Sequence, residues 1–230
     1  MLLIESIKTV ARGLAPLEEA FVFVGGAVVE CYSTSSAAEE ARYTDDIDVV
    51  LELTHYGQYG ILQEKLIKIG FNPDSTSRVI CRYKYKSITV DIMPDDPKIL
   101  GFTNHWYAGG IKSHIEYKID PDLAIKIFSA PFYLASKIEA YQERGITDKR
   151  LSTDFEDIIY VIENREELLQ EVSDVSSLEV KEFIKAFCSR LLTEKDTDEA
   201  IGAVMGYAPL PQRIDLVKNR LQKIAKIRLD

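Results

Sequence analysis

Cysteine is scarce in this 230-residue chain, and the three present, Cys31, Cys81 and Cys188, are odd in number and widely spaced. That pattern excludes a disulfide framework or a cysteine-based zinc site and predicts reduced thiols of an intracellular protein. Long apolar runs are lacking too. The longest, Phe21 to Val29, is broken by two glycines and falls far short of the roughly 20 residues a membrane helix needs, so no span is expected. Met1-Leu2-Leu3-Ile4 is followed by Glu5, with no basic segment or small-residue cleavage site around it. The sequence therefore predicts no secretory signal and a cytoplasmic protein. Positive charge is in deficit as well: 28 Lys and Arg against 37 Asp and Glu leave −9, which disfavours a nonspecific nucleic-acid binder. The three histidines, His55, His105 and His114, have no metal-ligand spacing, and no Ser or Cys nucleophile motif accompanies them.

What is present is an ordinary globular composition, 46% apolar, long enough for one large or two small domains. Leu3, Ile7, Val10 and Leu14 space an amphipathic first helix within residues 2–17, ended near Pro16. Phe21 to Val24 reads as a short strand, and Gly25-Gly26 turns it into a second helix from Ala27 to about Tyr32. Residues 33–42 predict a polar loop with one helical turn, leading to a strand over Asp46 to Leu53. A helix over Ile61 to Ile69 closes at Gly70, and strands over 78–85 and 88–93 form a hairpin around Lys86-Ser87. The segment Gly101 to Gly110 is aromatic and irregular, and strands over 114–119 and 123–128 end the sheet.

After Ser129 the character changes to helices. Ser129 and Pro131 open one that runs to Arg144 with Gly145 as C-cap. Thr153-Asp154-Phe155-Glu156 matches a capping box ahead of the stripe Phe155, Ile158, Ile159 and Ile162. Further helical patterns cover 175–192, 196–205 and 211–227, with no repeat or low-complexity tract. The expected fold is thus α/β (α+β), a mixed-sheet core over 1–128 followed by a helical domain over 129–230.

Within that frame the acids are the chemically informative residues. Asp46 and Asp48, one residue apart on a strand, point to the same face while Ile47 faces the core behind them. Carboxylate oxygens a few Å apart suit a divalent cation, and Asp91, alone in the apolar strand Val90-Asp91-Ile92, would complete a two-metal site.

In this order the motifs resemble the nucleotidyltransferase superfamily of the polymerase-β type: a strand, a glycine pair opening a helix, an acidic pair on the next strand and a later single acid. The chain more closely resembles the AbiEii/AbiGii-like nucleotidyltransferase toxins, through Phe23-Val24-Gly25-Gly26, Thr44-Asp45-Asp46-Ile47-Asp48, Gly101-Phe102 with Trp106-Tyr107, residues 133–140, Arg144-Gly145 and residues 152–158. Two departures stand out: Gly26 occupies a position where many superfamily members have Ser, and 19 residues separate Gly26 from Asp46, more than the usual dozen or so.

The resemblance implies transfer of a nucleoside monophosphate from an NTP with Mg²⁺ or Mn²⁺. Asp46 and Asp48 would hold metal on the triphosphate, and Asp91 would bind a second ion or deprotonate the attacking hydroxyl. Gly25, Gly26 and the helix after them would offer N–H groups to phosphate. Lys137, seven residues before Arg144 and so on the same helix face, would meet the triphosphate, and Asp154 and Asp157 would orient Lys137 or the nucleotide. Arg42 is a further phosphate candidate, and Trp106 and Tyr107 are candidates for base stacking or for core packing. The acceptor stays open between a tRNA end, a protein hydroxyl and a small molecule, with the acidic balance favouring a protein or a small cationic molecule over RNA unless Lys112, Lys118, Lys126 and Lys137 converge. A toxin role adds a cognate antitoxin protein as partner. The alternative is a catalytically silent nucleotide-binding or protein-interaction module with the same fold.

Overall fold

The computed structural model describes residues 3–53, 55–144, 148–206 and 211–229. The chain divides into two compact units, one of Met1–Val28 with Arg42–Ser129 and one of Val29–Ala41 with Ala130–Asp230. The division at Ser129 follows the change from strands to helices. Residues 29–41, which the sequence placed in the first half, instead belong with the helical unit.

The first unit is built on one seven-stranded mixed sheet. Its strands are β1 (Val22–Val24), β2 (Asp46–Leu51), β3 (Phe71–Pro73), β4 (Arg82–Tyr85), β5 (Ile88–Pro94), β6 (His114–Asp120) and β7 (Leu123–Phe128), in the spatial order β3-β4-β5-β2-β1-β7-β6. β2 runs parallel to β5 and β1 parallel to β7, while the other neighbours are antiparallel. Valine and isoleucine dominate the central strands, as a sheet buried on both faces requires: Val22, Val24, Val49, Val50, Val90 and Ile92 are all buried.

The first helix, α1 (Leu3–Leu14), buries the expected Ile7, Val10 and Leu14. The second expected helix is a tight 3₁₀ turn over Gly26–Tyr32, and residues 33–41 contain a turn at Ser36-Ala37 with no helical turn. α2 (Tyr56–Lys68) starts a full turn before the expected Ile61, where the His55 ring caps it by accepting from the Gln58 N–H, and it buries Tyr59, Leu62 and Leu66 while Ile61 is exposed. The hairpin of β4 and β5 turns through Lys86-Ser87 as expected, with Lys86 at φ 54°. Helix α3 (Pro97–Leu100) precedes the stretch expected to be irregular, and α4 (Tyr107–Lys112) begins within it. Gly110 shows why α4 tolerates its glycines: a Cβ there would stand 2.7 Å from the Phe128 ring, so its absence lets helix and strand approach.

In the second unit α5 (Ala130–Glu143) is buried from Ala130 to Ile138, and α6 (Thr153–Asn164), α7 (Leu168–Asp174) and α8 (Leu178–Leu191) pack against it. Gly145, the expected C-cap, lies outside the described residues. α9 (Thr197–Val204) and α10 (Pro211–Ala225) complete the unit. The cap of α6 is Ser152, whose hydroxyl accepts from the Phe155 N–H at 3.2 Å; the capping box expected to begin at Thr153 is not formed, because the third helical residue after this cap is Phe155 and not a Glu or Gln. The expected stripe Phe155, Ile158, Ile159 and Ile162 is buried throughout.

All three cysteines are buried, and burial pushes each thiol up to about 12. At pH 8 the native protein is therefore expected to leave all three unmodified by a thiol reagent such as DTNB and to react fully once denatured. Rapid modification of the native chain would contradict this packing.

Candidate active site

The acids come together through strand register. Asp48 lies opposite Asp91 on the parallel pair β2/β5, and Asp91 lies opposite Arg82 on the antiparallel pair β5/β4. Asp48 is also opposite Val24, the last residue of β1 before Gly25. One transverse row therefore reads Arg82, Asp91, Asp48, Val24, with Asp46 two residues away on the face of Asp48. Ile47, on the other face, is buried as expected.

Gly25 is fitted to this row. Its φ of +72° favours glycine, and a Cβ built there would stand 1.9 Å from Asp48 Oδ2. The Asp48 carboxylate thus occupies the space a side chain at 25 would fill. Gly26 begins the 3₁₀ turn, whose seven residues replace the helix whose N-terminus was expected to offer donors.

Arg82 is the residue that sequence reasoning missed. Its guanidinium grips Asp91 with two prongs, Nε to Oδ1 at 2.8 Å and Nη2 to Oδ2 at 2.7 Å, and the same Nη2 reaches Asp46 Oδ2 at 3.1 Å. The hydrogen bond to Asp91 is the main reason its pKa is held above the ordinary arginine value. The signal was available: counting outward from the turn pair Tyr85 and Ile88, three steps along each strand bring Arg82 opposite Asp91. The other Asp46 oxygen accepts from the Thr44 hydroxyl at 3.0 Å.

The donor set has the chemistry of a site for a hard cation such as Mg²⁺ or Mn²⁺, carboxylate oxygens on one face of two adjacent strands with a side-chain-free residue beside them. Among the described residues, no three His, Cys, Asp or Glu side chains are gathered into a ready-made ion-binding group. At the acidic row the cation present is the Arg82 guanidinium, which pairs with Asp91 and with one oxygen of Asp46.

The second set of expected site residues lies in the helical unit and also comes together. Lys137 Nζ is 3.2 Å from Asp154 Oδ1 and 2.6 Å from Asp157 Oδ2, and Arg144 Nη1 is 2.7 Å from Asp154 Oδ2. The seven-residue offset does place Lys137 and Arg144 on one face, where both meet Asp154. Lys137 and the two aspartates are buried, whereas the Arg144 side chain is exposed. Lys137 Nζ also stands 5.9 Å from the centroid of the Tyr133 ring.

Of the remaining candidates, Trp106 and Tyr107 pack against neighbouring rings. Trp106 is buried with His105 edge-on at 4.7 Å, and Tyr107 meets Phe128 edge-on at 5.9 Å. Arg42 Nη1 donates to the Tyr43 carbonyl at 3.4 Å, and His114 Nδ1 lies 2.7 Å from the Ile111 carbonyl.

No protein-family model matches the chain, and no curated protein matches it in sequence. Solved structures do. An antigenic nucleotidyltransferase-like protein from Paracoccidioides brasiliensis superposes with a TM-score of 0.54 at 19% identity, covering 87% of this chain and 92% of that one. The fold is nucleotidyltransferase-like. Two other structures, the antibiotic-resistance factor ANT(2'')-Ia and JHP933 from Helicobacter pylori, both superpose with a TM-score of 0.47. The first is 13% identical, covering 81% of this chain and 91% of its own; the second is 11% identical, covering 96% and 90%. Among the described residues, no helix is long and apolar enough to cross a membrane.

Proposed function

We propose that the protein is a metal-dependent nucleotidyltransferase that moves a nucleoside monophosphate from an NTP to an acceptor hydroxyl or similar group. The observation that carries this reading is the acidic row: Asp46 and Asp48 on β2, Asp91 opposite Asp48 on β5, and Gly25 against the Asp48 carboxylate. Asp46 and Asp48 would hold Mg²⁺ or Mn²⁺ on the triphosphate. The bound cation would supply charge neutralisation at the α-phosphate and the leaving pyrophosphate. Asp91 would bind a second ion or, on a lone pair that its pairing with Arg82 leaves free, take the proton of the attacking hydroxyl as the new P–O bond forms and the bond to pyrophosphate breaks. Lys137, positioned by Asp154 and Asp157, is our candidate for a nucleotide contact from the helical unit. The motif resemblance extends the proposal to a cytoplasmic toxin whose partner is a cognate antitoxin.

The test is incubation with each α-³²P-labelled NTP and total cell extract, with Mg²⁺ or Mn²⁺ or with EDTA, followed by separation of RNA, protein and small molecules. Metal-dependent label in one fraction is expected, and that fraction names the acceptor class as tRNA, protein or small molecule. Absence of transfer with every NTP would overturn the proposal. A second reading, a catalytically silent nucleotide-binding or interaction module, is favoured by Arg82, whose guanidinium already neutralises part of the acidic row. That reading requires that no label is transferred from any NTP to any fraction.

A further inference from the structure

The three contacts of Arg82 are unequal. Those to Asp91 are short and paired, and the Asp91 side chain is only 10% exposed. The contact to Asp46 is single and longer, 3.1 Å, and the Asp46 side chain is 34% exposed. Planar two-pronged pairing with a buried carboxylate is the strong form of this interaction, while a lone contact to a partly solvated oxygen is the weak form. A competing cation would therefore take Asp46 from Arg82 well before it took Asp91. Charge points the same way: three carboxylates against one guanidinium leave a formal −2 on these four side chains, the complement of one divalent ion.

We propose that Arg82 is a positioning residue that serves as a built-in counter-cation, clamping Asp91 at all times and releasing Asp46 when a divalent cation binds Asp46 and Asp48. The proposal rests on the metal-dependent reading above. It deepens that reading by making Arg82 the residue that sets how tightly the ion is held. In the metal-free protein the guanidinium limits repulsion among the acids. On metal binding the Asp46 contact is exchanged for the ion, while the Asp91 carboxylate keeps its orientation through the Nε and Nη2 bonds.

The experiment is titration of the purified full chain with Mn²⁺, free ion being read by electron paramagnetic resonance, together with thermal melting in EDTA and in Mn²⁺. Arg82→Gln removes the competing charge and is expected to bind Mn²⁺ about 10-fold more tightly than the wild type. It is also expected to melt lower in EDTA, with the difference narrowed by Mn²⁺. Arg82→Lys keeps the charge but lacks the planar fork, so its Mn²⁺ affinity is expected to rise about 3-fold. That variant carries the test should Arg82→Gln not fold. Unchanged or weaker Mn²⁺ binding in the folded variants would overturn the role of Arg82. If the Arg82 variants bind Mn²⁺ no more tightly than the wild type while Asp48→Asn loses binding, the metal site stands and the Arg82 proposal alone falls. Absence of Mn²⁺ binding in the wild type and in every variant would remove both.

Discussion

Asp48→Asn is expected to lower NTP-dependent transfer by about 1000-fold or more, on the order of 4 kcal/mol of transition-state stabilisation, while leaving the fold intact. Asparagine is nearly isosteric, so it fills the space beside Gly25 that the carboxylate occupies. What it lacks is the charge that would hold a divalent cation. Its effect on the metal-free protein should have the opposite sign. Asp48 stands opposite Asp91 and two residues from Asp46, and removing one of three like charges relieves repulsion, with stabilisation of up to about 1 kcal/mol. Loss of activity together with an equal or slightly higher melting temperature is therefore the expected pair of results. Unchanged turnover would show that the acidic row takes no part in transfer.

Lys137→Ala is expected to destabilise the protein by about 3–5 kcal/mol, because it leaves two buried carboxylates without the ammonium between them. Asp154 keeps its contact with Arg144, but Asp157 loses Lys137 at 2.6 Å. For a chain of this size that corresponds to a fall in melting temperature of roughly 6–20 °C. Lys137→Ala combined with Asp157→Asn should recover part of the loss, since the most severely orphaned charge is then gone. A fall of less than about 2 °C would show that the buried cluster is not held by Lys137. A contact with nucleotide would be read separately, as a raised KM or lowered kcat at a temperature where the variant remains folded.

The parts of the fold legible in the sequence were those whose periodicity and punctuation agree. The stripe of α1, the hairpin through Lys86-Ser87, and the stripe of α6 each combine an apolar repeat with a turn or cap. Elements that tertiary packing creates against local preference were not legible. β3 is a three-residue strand at the sheet edge ending in Pro73, too short to show alternation. α4 contains Gly109-Gly110, which argues against a helix until Phe128 supplies the reason. α7 is a seven-residue helix that went unread, Leu168 and Val172 being its buried residues. At the site, the same-face placement of Asp46 and Asp48 follows from strand period alone. The pairing of Lys137 with Asp154 and Asp157 was only one of two options, and burial of all three is what the structure adds. Arg82 was recoverable only by carrying hairpin register through to its partner, which composition and motif spacing do not do.

Residues 29–41 impose an order on how this chain can be made and cut. Tyr32 stacks on Tyr133 at 4.2 Å between centroids, its carbonyl accepts from Arg165, and Thr34 pairs with Glu167 at 2.8 Å. The helical unit is thus assembled from two stretches of chain separated by 88 residues of the sheet unit, Arg42 to Ser129. During synthesis, residues 29–41 emerge long before α5 exists to receive them, so the helical unit cannot close until the sheet unit has been made in full. A fragment beginning at Ala130 would lack the tyrosine that covers Tyr133 and the carbonyl that receives Arg165. The two halves are consequently not interchangeable cassettes, and a chain cut at the obvious strand-to-helix border leaves an incomplete core on its C-terminal side.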